Sequence, residues 1–271
     1  MGMRNVISAI IEFLKNLFSK KEEPVVTEIP DSGETETIES GETETADTID
    51  IAVTSSTETI TAQTHYKDMV ILLDNGHAKS TAGKRSPVLP DGSQFFEYEF
   101  NRDIVNRIAN ELENEGIMYK ILVPEVEEDI RLSVRAARAN NFCNEYGANN
   151  CLLISVHANA GSNGEWQSGR GWSIYTTKGV TKSDEYATIF FEEAEKVLPK
   201  YNMTLRSQWS DGDPDYEENF TIIYMPKCPS VLTENLFMDN KTDVKFLMSE
   251  EGREVITKIH VNAIKRICEA E

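Results

Sequence analysis

Beyond residue 68 the sequence alternates between short apolar runs and longer segments with helical spacing of apolar residues, and this alternation constrains the fold more than any other feature. The apolar runs predict strands at 69–74, 119–123, 152–156, 172–177, 220–224 and 230–236. The segments between them predict helices at 101–116, 129–146, 183–198 and 249–270. Strands alternating with helices of this length favour an α/β domain whose single central sheet is largely parallel and flanked by helices.

An acidic segment precedes this domain. Residues 22–64 contain twelve Asp and Glu but no Lys or Arg, and the string SGETET occurs at 32–37 and again at 40–45. Such a segment buries too little apolar surface to offset its ordering entropy, and its like charges repel one another. We therefore expect a disordered acidic linker rich in Thr and Glu, followed by one α/β domain over residues 65–271.

The first 21 residues predict an amphipathic helix, because apolar side chains recur at helical spacing from Met3 to Leu17. The longest uncharged stretch, residues 5–11, is far shorter than the roughly 20 residues that span a bilayer. Glu12 interrupts the apolar part and no small-residue cleavage motif follows, so the segment is a poor signal peptide and predicts no export route. Two interpretations stay open: contact with a membrane surface or a protein, and a marginal helix that folds only on contact.

The net charge of −19 argues against a nucleic-acid partner, because phosphate backbones are bound by clustered Lys and Arg. The four cysteines, Cys143, Cys151, Cys228 and Cys268, form no C-x-x-C pair. In a chain of this length their irregular spacing favours free thiols over a disulfide framework or a Cys-ligated zinc site.

Polar side chains follow several of the predicted strands. The first strand runs into DNGH, which ends at His77; the third ends at His157; and the last contains Glu234. Glu97 and Glu99 lie between the first strand and the first helix. Because ligands bind beyond the carboxyl ends of strands in open α/β sheets, we expect these groups to lie together if their strands are parallel neighbours.

Two histidines and one carboxylate are the usual protein ligands of a catalytic zinc ion, with a fourth position left for water. Zinc lowers the pKa of that water to about 7, and a further carboxylate outside the metal sphere then serves as general base. From the residues alone, each histidine could instead be a hydrogen-bonded side chain at a strand end. Both Glu97 and Glu99 remain candidates for the carboxylate ligand.

Four blocks of the sequence, in order, resemble the zinc-dependent N-acetylmuramoyl-L-alanine amidases of the amidase type 3 family, over residues 69–268. They are VILLDNGH, ending at His77; EFNRDIVNRIANEL, beginning at Glu99; RLSVRAARANNFCNEYGANNCLLISVHAN, containing His157; and PSVLTENLFMDN, containing Glu234.

The resemblance implies one Zn²⁺ ion held by His77, Glu99 and His157, and it selects Glu99 over Glu97. It also implies that Glu234 is the catalytic base. The substrate would be peptidoglycan, cut between N-acetylmuramic acid and L-alanine, and the site of action would be the bacterial cell envelope, in the periplasm or the cell wall.

The chain departs from the family pattern at two places. Glycines usually follow the first histidine, whereas this chain has Ala78, Lys79 and Ser80; a small residue and a glycine usually follow the catalytic glutamate, where Asn235 and Leu236 stand here. All four proposed active-site residues remain, so we expect an active enzyme. Two alternatives stay open: a zinc peptidase acting on stem peptides, and a catalytically silent wall-binding module. The setting would be that of a host autolysin or a phage-type endolysin, and the poor signal peptide favours the endolysin.

Three other features have possible functional and structural interpretations. Asp211, Asp213 and Asp215 alternate like the ligands of a calcium loop, but Pro214 and the lack of a later glutamate argue against an EF-hand. Asp74 is expected either to orient a histidine or to cap nearby amides. His260 falls within the last predicted helix and is expected to be structural.

Overall fold

The computed structural model describes residues 68–161 and 164–270. The predicted amphipathic helix over 1–21 and the predicted linker over 22–64 lie outside these residues. Among the described helices, none is long and apolar enough to cross a membrane.

The centre of the molecule is one six-stranded mixed sheet in the order β2-β1-β3-β6-β4-β5. Its strands are β1 (Val70–Asn75), β2 (Met118–Ile121), β3 (Cys151–Asn159), β4 (Ser173–Thr176), β5 (Tyr216–Glu217) and β6 (Ser230–Phe237). All neighbouring strands pair in parallel except β4 and β6, which are antiparallel. The predicted α/β class is confirmed, with this one antiparallel pair in an otherwise parallel sheet.

Helices cover both faces of the sheet. They are α1 (Glu97–Asn114), α2 (Leu132–Tyr146), α3 (Lys182–Val197), α4 (Thr221–Tyr224), α5 (Lys241–Met248) and α6 (Glu250–Ala270). Side chains along β1 alternate between two apolar clusters: Ile71 and Leu73 pack with α1, α3 and α6, whereas Val70 and Leu72 pack with α2 and α4. Both faces of β1 are therefore buried, which explains its continuous apolar run.

The predicted strand at 220–224 is wrong, because this segment forms the short helix α4. The backbone N–H of Tyr224 donates to the carbonyl of Phe220 at 2.8 Å, a helical contact. Ile222 and Ile223 face the core, while Phe220 and Tyr224 are exposed. A run of five residues, four of them apolar or aromatic, is too short for its periodicity to distinguish a strand from one helical turn.

Two elements were not predicted. The helix α5 begins after Asn240, whose side chain accepts hydrogen bonds from the backbone N–H groups of Thr242 and Asp243. The strand β5 has only two residues and depends on its pairing with β4. The four predicted helices and the remaining five strands are all present, with ends shifted by a few residues.

Candidate active site

The candidate site lies where the order of the strands reverses. The chain leaves β1 toward β2 on one side, whereas β3 and β6 lie on the other side of β1. In doubly wound sheets a crevice opens at such a switch point, beyond the carboxyl ends of the strands. His77 follows β1 there, His157 lies near the end of β3, and Glu234 lies in β6 directly opposite His157.

One carboxylate joins the two histidines. Oε1 of Glu97 lies 3.1 Å from Nδ1 of His157 and 3.3 Å from Nε2 of His77. Potential ligand atoms of these three residues all lie within 4.8 Å of one another, so the group could hold a metal ion. Nε2 of His77 and Oε2 of Glu97 are buried and make no hydrogen bond, and the ammonium group of Lys84 lies 3.9 Å from that Oε2. Because buried polar atoms rarely lack a partner, these two atoms fit a site built to bind an ion.

The two histidines approach each other across a glycine. A Cβ atom on Gly76 would lie 2.2 Å from Cε1 of His157, so no other residue fits at this position without displacing that imidazole. His77 itself adopts the left-handed conformation, with φ of 63°. The sequence Asn-Gly-His thus places the first histidine against the second, with their ring centroids 4.9 Å apart.

The first turns of α1 hold the segment that carries His77. Asn101 donates from its side-chain amide to the carbonyl of Gly76 at 3.0 Å, and Arg102 donates to the carbonyl of His77 at 2.8 Å. Glu97 stands at the start of the same helix. Asn101 and Arg102 were not predicted as site residues, although both lie in the FNRD segment that directly follows the two glutamates.

The charges within the cluster depend on one another. Burial alone would raise the pKa of Glu97, but its contacts with His157 and His77 outweigh burial and hold that pKa well below its usual range. Burial lowers the pKa of His77. Burial also lowers the pKa of His157, but the hydrogen bond with Glu97 has the larger effect and raises the pKa of His157 above its usual value. Glu97 is therefore an ionised carboxylate, as a metal ligand must be.

The structure places Glu99 away from this cluster. Its side chain is exposed and accepts a hydrogen bond from the Tyr98 hydroxyl at 2.8 Å. Glu97 is 1% exposed, and its Oε1 also accepts from the backbone N–H of Ala158 at 3.2 Å. Both glutamates lie in the first turn of α1, where residues two apart point about 200° away from each other around the axis. Only one can face the histidines, and that one is Glu97, not the Glu99 expected from the resemblance.

Glu234 lies beside the cluster. It is the partner of His157 across the parallel pair β3–β6, so the two side chains project from the same face of the sheet. Its Oε2 is buried and has no hydrogen-bond partner. Burial raises the pKa of Glu234 to about 7; the positive field of His157 lowers it and the negative field of Glu97 raises it.

A β-bulge follows Glu234. Between the pairs His157–Glu234 and Asn159–Phe237, β3 advances two residues and β6 advances three. The extra residue is accommodated at Leu236, which is buried with φ of 67°. Bulges of this kind re-aim side chains next to active sites.

Asn235 stabilises this arrangement. Its side-chain amide donates to the carbonyl of His157 at 2.9 Å, and its oxygen accepts from the indole N–H of Trp172 at 2.8 Å. In the sequence, Asn235 is recognisable only as a departure from the family pattern. In the structure it ties β6 to the backbone of the second histidine.

Asp74 and His260 both make hydrogen bonds that have a structural role. Asp74 accepts from Arg135 at 3.1 Å and from the Ser155 hydroxyl at 2.6 Å, and these contacts occupy both of its carboxylate oxygens. His260 is fully buried in α6, where it contacts the Thr233 hydroxyl and the carbonyl of Ile256. The four cysteines are buried free thiols.

A His/Glu/His group at the switch point of an α/β sheet, with a half-buried glutamate beside it, is the arrangement expected of a metallohydrolase. A family model described as N-acetylmuramoyl-L-alanine amidase matches residues 71–266. The chain belongs to this family, and the resemblance seen in the four sequence blocks is confirmed.

Individual relatives agree with the family match. The chain is 25% identical over 197 residues to the N-acetylmuramoyl-L-alanine amidase CwlM of Bacillus licheniformis, covering 72% of this chain and 67% of that protein. It is 24% identical over 201 residues to an endolysin of Bacillus phage SPP1, covering 73% of this chain and 65% of that protein. The chain thus spans about two thirds of the length of these two relatives.

A solved structure shows the same fold. The crystal structure of the N-acetylmuramyl-L-alanine amidase Ami1 from Mycobacterium smegmatis superposes with a TM-score of 0.59 at 20% identity, covering 76% of this chain and 99% of that chain. Together with the family match, this identifies the protein as a hydrolase of the amidase class that acts on peptidoglycan. Its site of action is therefore the bacterial cell envelope or wall.

Proposed function

We propose that the protein is a zinc-dependent N-acetylmuramoyl-L-alanine amidase in which His77, Glu97 and His157 hold the metal and Glu234 is the catalytic base. The observation that carries the proposal is the convergence of one buried carboxylate oxygen on both histidine rings, at 3.1 and 3.3 Å. Two imidazoles and one carboxylate are a donor set that suits zinc, with a position left open for chemistry.

A zinc ion bound by this group would supply Lewis-acid polarisation of the scissile carbonyl and make hydroxide available near neutral pH. The protein's own contribution begins with Glu234, whose buried Oε2 has no other hydrogen-bond partner. It accepts a proton from the attacking water and passes that proton to the amine of L-alanine as the C–N bond breaks. Water is consumed, and the products are a free lactyl carboxylate on the glycan and a free stem peptide.

Glu97 supports this chemistry by keeping both histidines in place. Its contact with Nδ1 of His157 and its acceptance of the Ala158 N–H fix the end of β3 to the start of α1. Asn101 and Arg102 fix the carbonyls of Gly76 and His77 in the same way. The ligand atoms are thus preorganised by hydrogen bonds from one helix, which lowers the cost of assembling the site.

Of the two alternatives, the wall-binding module leaves Glu234, whose Oε2 is buried without a hydrogen-bond partner, without a role. The zinc peptidase shares the same site and differs in the bond that is cut. Both a cellular amidase and a phage endolysin are among the relatives, and the proposed bond specificity applies in either setting.

The proposal is tested by measuring the release of new L-alanine amino termini from purified peptidoglycan. We expect wild-type protein to release them, a chelator to abolish the release and added zinc to restore it. Glu234→Gln should lower the rate by about 10²–10⁴-fold, because the general base is lost, while the zinc content stays near one ion per chain.

Glu218→Gln is the matched control, because Glu218 is an exposed glutamate outside the site. This variant should release L-alanine amino termini at the wild-type rate. New amino termini from residues within the stem peptide, with the bond to muramic acid intact, would contradict the amidase and support the peptidase. Wall binding that needs no zinc, with no product at all from folded and zinc-loaded protein, would support the binding module.

A further inference from the structure

A second group of potential metal ligands lies outside the candidate active site and consists only of aspartates. It consists of Asp184, in the first turn of α3, together with Asp213 and Asp215 from the loop before β5. Potential ligand oxygens of the three carboxylates all lie within 4.8 Å of one another. Asp211, which alternates with Asp213 and Asp215 in the sequence, is exposed and is not part of this group. Asp184 is its third member.

Asp184 and Asp215 are buried and Asp213 is half-buried, and each of the three has one buried oxygen without a hydrogen-bond partner. Asp215 is 1% exposed and Asp184 is 6% exposed. The second oxygen of Asp215 accepts from the Thr176 hydroxyl, and that of Asp184 accepts from the backbone N–H of Thr181. Oδ1 of Asp184, Asp213 and Asp215 is in each case buried and accepts no hydrogen bond. Three buried carboxylate oxygens without donors are costly unless a cation lies among them.

We propose that Asp184, Asp213 and Asp215 form a Ca²⁺ site. Calcium is a hard cation that takes six to eight oxygen ligands at about 2.3–2.6 Å, so two ligand atoms on one ion are at most roughly 5 Å apart, which the group satisfies. The group contains no imidazole or thiolate, the ligands that would favour zinc. Backbone carbonyls and water would complete the coordination, as they do in other calcium sites.

The proposed calcium site lies at the opposite end of the sheet from Glu234. In the antiparallel pair β4–β6, Ser173 is the partner of Glu234 and Tyr175 that of Leu232. Thr176, which contacts Asp215, is thus three residues or about 10 Å further along, toward the start of β6. A cation there would tie the loop before β5 to α3 and β4, which is a structural role and takes no part in hydrolysis.

A proton is the competing occupant. Without a cation, burial and the neighbouring Asp213 raise the pKa of Asp215 to about 8, because three like charges cannot all be ionised together. Proton retention and cation binding differ in one measurable respect, since only the second makes stability depend on the calcium concentration.

The test is the melting temperature of the full chain, stripped of metals, reloaded with one equivalent of zinc and titrated with CaCl₂. We expect a rise of about 5–10 °C when calcium reaches about a hundredfold excess over its Kd. Calorimetry should show one saturable Ca²⁺ ion at this site. MgCl₂ at the same concentration should give a smaller rise, because magnesium keeps most of its water.

Asp213→Asn and Asp215→Asn should abolish the calcium-dependent rise, while Asp211→Asn, an exposed neighbour in the same loop, should keep it. The acidic segment at 22–64 is identical in every variant, so any weak binding there contributes equally to all of them. The proposal is overturned if calcium leaves the wild-type melting temperature unchanged, or if Asp213→Asn and Asp215→Asn respond as the wild type does. Zinc content measured in parallel separates this result from any failure of the amidase assignment.

Discussion

At the scale of single residues, the candidate active site depends on which of two neighbouring glutamates faces inward. Glu97 and Glu99 are the same residue type and lie within one helical turn. Burial differs sharply between them, since Glu97 is 1% exposed and Glu99 is exposed to solvent. The side that α1 turns toward the sheet therefore decides which carboxylate reaches the two histidines.

Glu97→Gln and Glu99→Gln form a matched pair that tests this assignment. We expect Glu97→Gln to lower zinc affinity by at least 10- to 100-fold, because a neutral amide replaces the carboxylate that contacts both histidines. Glu99→Gln should retain zinc and activity, since its partner is the exposed Tyr98 hydroxyl. Zinc content after dialysis against a weak chelator is the measurement. Loss of zinc from Glu99→Gln, with Glu97→Gln unaffected, would restore the assignment made from the resemblance.

Leu236 is a second decisive residue, because it is buried in a backbone conformation that favours glycine. Leu236→Ala should cost about 2–5 kcal/mol through the cavity that it leaves. Leu236→Gly creates the same cavity but relieves roughly 1–2 kcal/mol of left-handed strain. We therefore expect the glycine variant to be at least as stable as the alanine variant in denaturant unfolding of zinc-loaded protein.

Leu232 provides the control for this comparison. It is buried in the same strand and is not among the residues with positive φ. At Leu232 the order should reverse, with Gly less stable than Ala by about 0.5–1 kcal/mol. If the alanine variant is more stable than the glycine variant at both positions, the bulge after Glu234 stores no strain at Leu236.

At the scale of elements, α1 and α6 illustrate two uses of a helix. The first turns of α1 supply Glu97 to the cluster and Asn101 and Arg102 to the backbone that carries His77. The helix α6 packs against α1 and α3 and carries His260 into the core. His260 contacts Thr233, the residue before Glu234, so this helix supports β6 from behind.

His260 gives the protein a predictable response to acid. Burial lowers its pKa from 6.5 to about 4. The unfolded chain therefore binds more protons than the folded chain between about pH 6.5 and pH 4. The stability contributed by neutral His260 is complete above pH 6.5 and is lost as the pH falls through this window.

The free energy of unfolding, measured from pH 7 to pH 4, should fall more steeply for the wild type than for His260→Gln. The difference in slope is at most about 1.4 kcal/mol per pH unit, the value for one proton. The glutamine keeps hydrogen-bonding capacity but cannot take up a proton. Parallel curves for the two proteins would show that His260 is free to protonate in the folded state.

At the scale of the whole molecule, the sheet has two chemically different ends. The carboxyl ends of β1, β3 and β6 carry the His/Glu/His group and Glu234, while the region near the end of β4 carries the three aspartates. The separation follows from the single antiparallel pair, because β4 runs opposite to β6 and its end lies beside the start of β6. The reversed strands β4 and β5 thus keep the acidic group away from the histidines.

Local sequence patterns predict the α/β class, the alternation of strands and helices, and His77, His157 and Glu234 as candidate site residues. Each of these is expressed locally, as an apolar run, a helical period or a polar residue at the end of a strand. The short segment at 220–224 marks the limit of such signals, since a pattern of five residues fits a strand as well as it fits one helical turn.

The tertiary structure alone decided which carboxylates converge. It selected Glu97 because α1 docks with that face toward β3, and it joined Asp184 to Asp213 and Asp215 because the loop before β5 folds onto the start of α3. It also shows that Asn235, which departs from the family pattern, donates a hydrogen bond to the carbonyl of His157. These outcomes depend on how elements distant in the sequence pack together, and spacing along one chain does not record the rotation of a helix or the path of a loop.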